Sequence, residues 1–297
     1  MKFAELIRLV RSSEPRDRIL LRQTLHGLPI IRSVLARIQR LKARFTQRSP
    51  DDYVRMQKST YEAFAAADHV EPGLIDGDFV VGSWRQHDEW EDFGTYLMKY
   101  VPPGNSWTAI EYGCGPGRNI RRWTDSFARI DGVDISATNL QNARTFLEGQ
   151  ILRAKMPNLF LTDGMDCGEA PKAAYDFAFS TICLQHICVY DVRFSILRSL
   201  FECLRPGGRL SIQMGFGVPS PQTVPYRANF VQAAATNRGC DVAIASPDEV
   251  GGDLAAIGFT DFECWIRPTG PGDYHPNWIF FTGVKPLTPA VINAPQA

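Results

Sequence analysis

From Trp107 onward, short apolar runs alternate with stretches whose apolar residues recur at helical spacing. The pattern predicts strands near 107–112, 129–134, 158–162, 175–181 and 208–214, with helices near 118–128, 137–149 and 190–204 between them. Such alternation predicts a parallel sheet, because each crossover helix returns the chain to begin the next strand in the same direction, and the helices then cover both faces. Pro206, Gly207 and Gly208 are expected to stop the third helix through a left-handed glycine turn. An insertion from 215 to 247 follows, with a helix near 226–236. A helix near 247–257 and two strands at 259–267 and 277–285 complete the pattern, the strands close enough to pair as a hairpin. The fold class expected is α/β, a doubly wound, mostly parallel, seven-stranded sheet with an N-terminal helical extension.

The first hundred residues follow another rhythm. Residues 1–48 read as helical pieces broken around Pro15 and Pro29, and Ile31, Val34, Leu35, Ile38, Leu41 and Phe45 form an apolar stripe with Arg32, Arg37, Arg40 and Arg44 mainly elsewhere on the wheel. This segment holds twelve Lys/Arg against Glu5, Glu14 and Asp17, a surplus of +9 in a chain of zero formal net charge. Two readings stand: a basic surface for anionic lipid, an acidic partner or nucleic acid, or a stripe packed on the main domain or a second subunit. Residues 49–104 are aromatic and read as a helical lid or substrate segment, with a helix near 88–100 ended by Pro102, Pro103 and Gly104. The tail, 286–297, is expected to be loosely ordered.

Composition narrows the class. A chain of 297 residues with 44% hydrophobic and 22% charged positions can bury a sizeable core. The seven cysteines form no C-x-x-C pair, and several sit in apolar runs, as expected of buried thiols in a reducing compartment. No apolar run approaches the roughly 20 residues of a membrane span, and the start lacks a signal-peptide core, so a cytoplasmic location is expected. His26, His69, His87, His186 and His275 are far apart and no ligand spacing links them, so no metal site is expected. The acidic balance beyond residue 48 argues against a nucleic-acid groove and for a small-molecule acceptor, free or tethered to a carrier or lipid. Oligomeric state is not legible.

The chemistry concentrates after the first predicted strand. Glu111 precedes Gly113, Gly115 and Gly117, and a helix follows; glycines allow the tight turn and let a ligand lie against the backbone. Twenty-one residues beyond Gly113, Asp134 ends the next apolar run, where a carboxylate can accept two ribose hydroxyls. A nicotinamide dinucleotide would use the same acidic position. Its fingerprint, however, requires glycine or alanine at position 118, which is Arg118.

The series as a whole resembles the class I S-adenosylmethionine methyltransferases: the Glu111–Gly117 loop, then Val133 to Ser136, Asp163 with Gly164, Tyr175 to Ser180 followed by Leu184 to His186, and Leu204 to Gly208. The resemblance covers about 105–215 and the two terminal strands, and it implies that the last strand is antiparallel. It implies S-adenosylmethionine as cofactor, with Gly113, Cys114, Gly115 and Gly117 around its methionine and ribose portions and Glu111 near the amino group. Asp134 and Ile135 take the ribose and one adenine face, Asp163 the adenine amino group with Gly164 and Met165 beside the ring, and Ser180 and Thr181 the methionine portion.

A sulfonium methyl donor is already activated, so the protein mainly aligns the nucleophile and excludes water. A base is needed only where the attacking atom carries a proton. His186, following the fourth strand, is the candidate, alongside the reading that it hydrogen-bonds backbone and shapes its loop. The family topology would also bring the 268–276 turn to the cofactor side, with Tyr274 and His275 as further candidates, or leave it a plain hairpin connection. An NAD(P)-dependent oxidoreductase and a non-catalytic cofactor-binding or anchoring module are the alternatives.

Overall fold

The computed structural model describes residues 49–76, 92–104, 106–220, 223–229, 241–270 and 275–287. The expectations for residues 1–48, for Tyr274 and for most of the 226–236 helix lie outside them.

The main sheet has seven strands: β3 (Thr108–Tyr112), β4 (Arg129–Asp134), β5 (Leu159–Leu161), β6 (Tyr175–Ser180), β7 (Leu204–Phe216), β10 (Thr260–Pro268) and β11 (Asn277–Val284). Their spatial order is β10-β11-β7-β6-β3-β4-β5. All neighbours pair in parallel except β11, which runs antiparallel to both β7 and β10. The expected sheet and its antiparallel last strand are thus present. β6 is buried at every position, as a central strand covered on both faces must be.

Alternation along each strand divides the core. Ile110, Ala178, Ile212, Ile279 and Phe281 face one side, with α5 (Tyr190–Cys203), α6 (Pro247–Ile257) and Tyr53 and Val54 of α1 (Pro50–Ala65). Ala109, Phe177, Phe179, Trp278 and Phe280 face the other, against α2 (Phe93–Leu97), α3 (Arg118–Trp123) and α4 (Ala137–Leu147). Local signals set the helix ends. Ser49 with Asp52, and Ser246 with Glu249, form capping boxes that start α1 and α6, and left-handed Gly258 stops α6.

Several boundaries differ from expectation. α5 ends at Cys203 without a glycine cap, because Pro206 disfavours helical backbone at Arg205 and the chain is already extended at Leu204. Gly207, at φ +80°, instead turns so that its amide donates to the Lys285 carbonyl (2.7 Å) at the start of β7. α3 covers only six residues before a short 3-10 turn, and of the helix expected near 88–100 the described part is Phe93–Leu97. Two small sheets were not anticipated: the hairpin β1 (His69–Glu71) with β2 (Leu74–Asp76), and the parallel pair β8 (Thr223–Pro225) with β9 (Asp241–Ala243). Among the described residues no helix is long and apolar enough to cross a membrane.

Candidate active site

Because β3, β4, β6 and β7 run parallel, their C-terminal ends share one edge of the sheet. The strand order reverses at β3, which lies between β4 and β6. A crevice opens at such a reversal because the loops on either side leave the sheet in opposite directions.

The loop leaving β3 turns on three left-handed glycines, with φ +73° at Gly113, +51° at Gly115 and +86° at Gly117. Side chains disfavour all three conformations. At Gly113 a Cβ would also stand 2.3 Å from Cys183 Sγ. At Gly115 nothing lies within 4 Å of the Cβ position, so the backbone there faces open space. The Gly113 and Cys114 amides donate to the Val133 carbonyl (2.8 and 3.0 Å), which ties the loop to β4.

Asp134 ends β4 and completes this cradle. Its Oδ2 accepts from the Gly115 amide (2.9 Å), and its Oδ1 from the Ser136 amide (2.9 Å) and Asn139 Nδ2 (3.4 Å). Burial raises its pKa while those hydrogen bonds pull the other way. Glu111, 1% exposed, accepts at Oε1 from Asn119 Nδ2 (2.6 Å), and that amide also donates to Thr181 Oγ1 (2.8 Å). Glu111 Oε2 is buried without a hydrogen-bond partner. Burial pushes the Glu111 pKa up to about 8, the Asn119 hydrogen bond and Arg118 offsetting only part of it. An orphaned carboxylate oxygen beside a bare glycine loop fits a ligand that carries an amino group, and S-adenosylmethionine meets that requirement.

Beyond β5, Gly164 (φ +101°) is packed so closely that a Cβ would meet Ile135 Cδ1 at 2.7 Å and Val54 Cγ1 at 2.8 Å. Asp163 is exposed and its carboxylate accepts from the Met165 amide (3.0 Å), closing a turn. Ser180 is fully buried, and its hydroxyl donates to the Tyr112 carbonyl (2.8 Å).

Helix α1 crosses these strand ends. At one end Tyr53 Oη accepts from the Cys188 amide (2.8 Å) and donates to the His186 carbonyl (3.1 Å). Gln57 Nε2 donates to Tyr53 Oη and to the same carbonyl (3.3 Å), while its Oε1 is buried without a partner. At the other end Glu62 accepts from the Ala137 amide (2.6 Å) at the start of α4. Tyr61 hangs between, its ring partly buried. Burial drives the ionisation of its enclosed hydroxyl far up, with Cys183, Asp134 and Asp241 adding to the effect.

His186 stands in the short turn after β6, and its Nδ1 lies 2.8 Å from Asp241 Oδ1. On the far side of the same carboxylate, His275 Nε2 is 3.5 Å from Oδ2. Burial opposes ionisation of Asp241, and the two imidazoles overcome that cost and hold its carboxyl well below the usual range. The side chains grade inward: His186 is 28% exposed, Asp241 10% and His275 1%.

The sequence-predicted residues of the loop, of β4 and of the β6 end therefore converge on one edge, and His186 and His275 meet through Asp241. Sequence reasoning missed Asp241 and Gln57 and set no weight on Tyr53 or Tyr61. Asp241 carries no motif, and only an i, i+4, i+8 spacing of Tyr53, Gln57 and Tyr61 on a helix face would have singled out the others.

Residues 110–212 match the family model described as "Methyltransferase domain". Trans-aconitate 2-methyltransferase of Paracidovorax citrulli is 26% identical, over 68% of this chain and 77% of its own. The Azoarcus enzyme of the same name is 33% identical over 40% of this chain, and the match spans 43% of its own length. Among solved structures, Burkholderia thailandensis 1,6-didemethyltoxoflavin-N1-methyltransferase, with bound 1,6-didemethyltoxoflavin and S-adenosylhomocysteine, superposes at a TM-score of 0.57 over 81% of this chain and 92% of that one, at 18% identity.

Proposed function

Since the chain belongs to the class I S-adenosylmethionine-dependent methyltransferase family and takes S-adenosylmethionine as its cofactor, we propose that it methylates an O–H or N–H group of a small molecule, with His186 as general base. The observation that carries this reading is the pairing of His186 with Asp241 on the edge that holds the glycine cradle. The named acceptors of the relatives, trans-aconitate and 1,6-didemethyltoxoflavin, are small molecules and support a small-molecule acceptor.

When bound, S-adenosylmethionine supplies a sulfonium methyl group: the acceptor's lone pair bonds to carbon, and the carbon–sulfur pair leaves with sulfur. Glu111 Oε2 would pair with the cofactor's amino group, Asp134 would accept from the ribose hydroxyls, and Gly113, Cys114, Gly115 and Gly117 would give the backbone surface between them. Ile135, Gly164, Met165 and Val54 would close on the adenine, Asp163 would meet its amino group, and Ser180 and Thr181 would flank the methionine portion. His186 takes the acceptor's proton on Nε2, so the nucleophile is most electron-rich as the new bond forms. Helix α1 covers the edge and excludes water, which strengthens every charge interaction beneath it.

Calorimetry with S-adenosylhomocysteine and with NAD tests the cofactor half: binding of the first and no heat from the second is expected. Release of S-adenosylhomocysteine across a panel of phenols, amines and heterocyclic N–H compounds tests the rest. Turnover that survives His186→Gln unchanged rules out the base.

A further inference from the structure

We infer that Asp241 is a positioning residue for His186 and that the buried His275 is the balancing group on its far side. In this His186–Asp241–His275 array, assembled from three distant segments, the carboxylate fixes which nitrogen of His186 is basic. The inference deepens the proposed function and rests on its reading of His186.

Each member is braced independently. Asp241 opens β9, which pairs with β8, and the residue after β9 is pinned to the end of β7: Ile244 N donates to the Gly215 carbonyl (3.1 Å) and Gly217 N to the Ile244 carbonyl (2.9 Å). His275 is seated by what Gly215 lacks, since a Cβ there would lie 2.2 Å from the imidazole. The His275 carbonyl also accepts from Thr269 Oγ1 (2.5 Å). His186 is held through its backbone carbonyl by Tyr53 and Gln57. None of these braces belongs to the glycine cradle, so the array is a separate construction on the same edge.

The chemistry follows from the placement. A carboxylate buried to this degree is costly unless paired, and Asp241 has one imidazole on each oxygen. With Nδ1–H donating to Oδ1, the lone pair of His186 is on Nε2, the nitrogen that would receive a proton. When that proton arrives, the ionised carboxylate already stands beside the imidazolium and need not move. His275, at 1% exposure, acts through Asp241 and not on the acceptor.

The test uses the full chain labelled with 15N-histidine, with S-adenosylhomocysteine added, and long-range 1H–15N correlation. His186→Gln assigns the signals. The expected spectrum at pH 8 shows His186 protonated on Nδ1 and bare on Nε2. Asp241→Ala should convert it to the tautomer mixture of a solvent-exposed imidazole, with S-adenosylhomocysteine affinity within about twofold of the parent. Methyl transfer should fall roughly 10–100-fold in kcat, as when the partner that orients a functional histidine is removed. A parent spectrum with the proton on Nε2 overturns the inference, as does an Asp241→Ala spectrum unchanged from the parent. If that variant does not fold, the parent spectrum decides alone. The expected tautomer combined with full turnover by His186→Gln would remove the base while leaving the positioning intact.

Discussion

Replacing Glu111 with glutamine should stabilise the free protein near neutral pH and weaken cofactor binding. The carboxyl is fully buried, and its pKa stands at about 8 against an ordinary 4.5. A carboxyl whose pKa is raised on folding contributes full stability below its unfolded value, and that contribution is lost as pH rises toward the folded value. The window is therefore about pH 4.5 to 8. At pH 7 the unfolded chain gains about 2.5 pH units of ionisation that the folded chain forgoes, at about 1.4 kcal/mol per unit, so the cost is about 3–4 kcal/mol. Glutamine keeps the acceptor for Asn119 Nδ2 and cannot ionise, so most of that cost disappears. At ~2–3 °C per kcal/mol for a chain of this size, Tm should rise by roughly 6–9 °C at pH 7 and hardly at all at pH 4.5.

The same substitution should cost affinity for S-adenosylhomocysteine by more than about tenfold, since a charge-assisted hydrogen bond to the amino group is worth ~1.5–3 kcal/mol. Binding to the parent should also release protons near pH 7, as an amino group beside Oε2 draws the carboxyl into its ionised form. Calorimetry in buffers of different ionisation enthalpy measures that release, which should vanish in Glu111→Gln. A variant with lower Tm and parental affinity would refute the assignment of Oε2 to the ligand.

Gly115→Ala should fold, losing about 1 kcal/mol to its left-handed backbone, yet bind S-adenosylhomocysteine at least tenfold more weakly, because its methyl group enters the cradle. Gly113→Ala should instead lower Tm by several degrees, since its methyl group meets Cys183 Sγ, and Cys183→Ala in the same chain should recover part of the loss. Tyr53→Phe leaves the buried Cys188 amide without its acceptor and should cost ~1–3 kcal/mol in urea unfolding, with faster hydrogen exchange at Cys188.

The glycine loop after β3 and Asp134 beside it are legible in the sequence because the loop's signal is local. Gly113, Gly115 and Gly117 adopt backbone angles that side chains resist, so chain chemistry marks them without any knowledge of contacts, and Asp134 is fixed by strand length after them. The sheet was legible for a similar reason, since short, mostly apolar runs such as Tyr175–Ser180 alternate with helical patterns, and β6 is buried at every position. What escaped is non-local. Asp241 acquires meaning only when β9 is pinned to β7, and Gln57 only when α1 crosses to the His186 turn. The end of α5 falls within a residue of the expected one, but Pro206 stops it before the glycines can supply a left-handed cap.

The matched family span, 110–212, contains the cradle and His186 but stops before Asp241 and His275 and begins after α1. A relative can therefore share the donor chemistry while differing in every brace around the base. Among the described residues, α1, the β8–β9 pair and the strands β10 and β11 lie outside that span and make none of the hydrogen bonds that tie Gly113, Cys114 and Gly115 to β4. Gln57 shows how a residue outside that span reaches the His186 turn: its side-chain amide, buried under α1, donates to the His186 carbonyl.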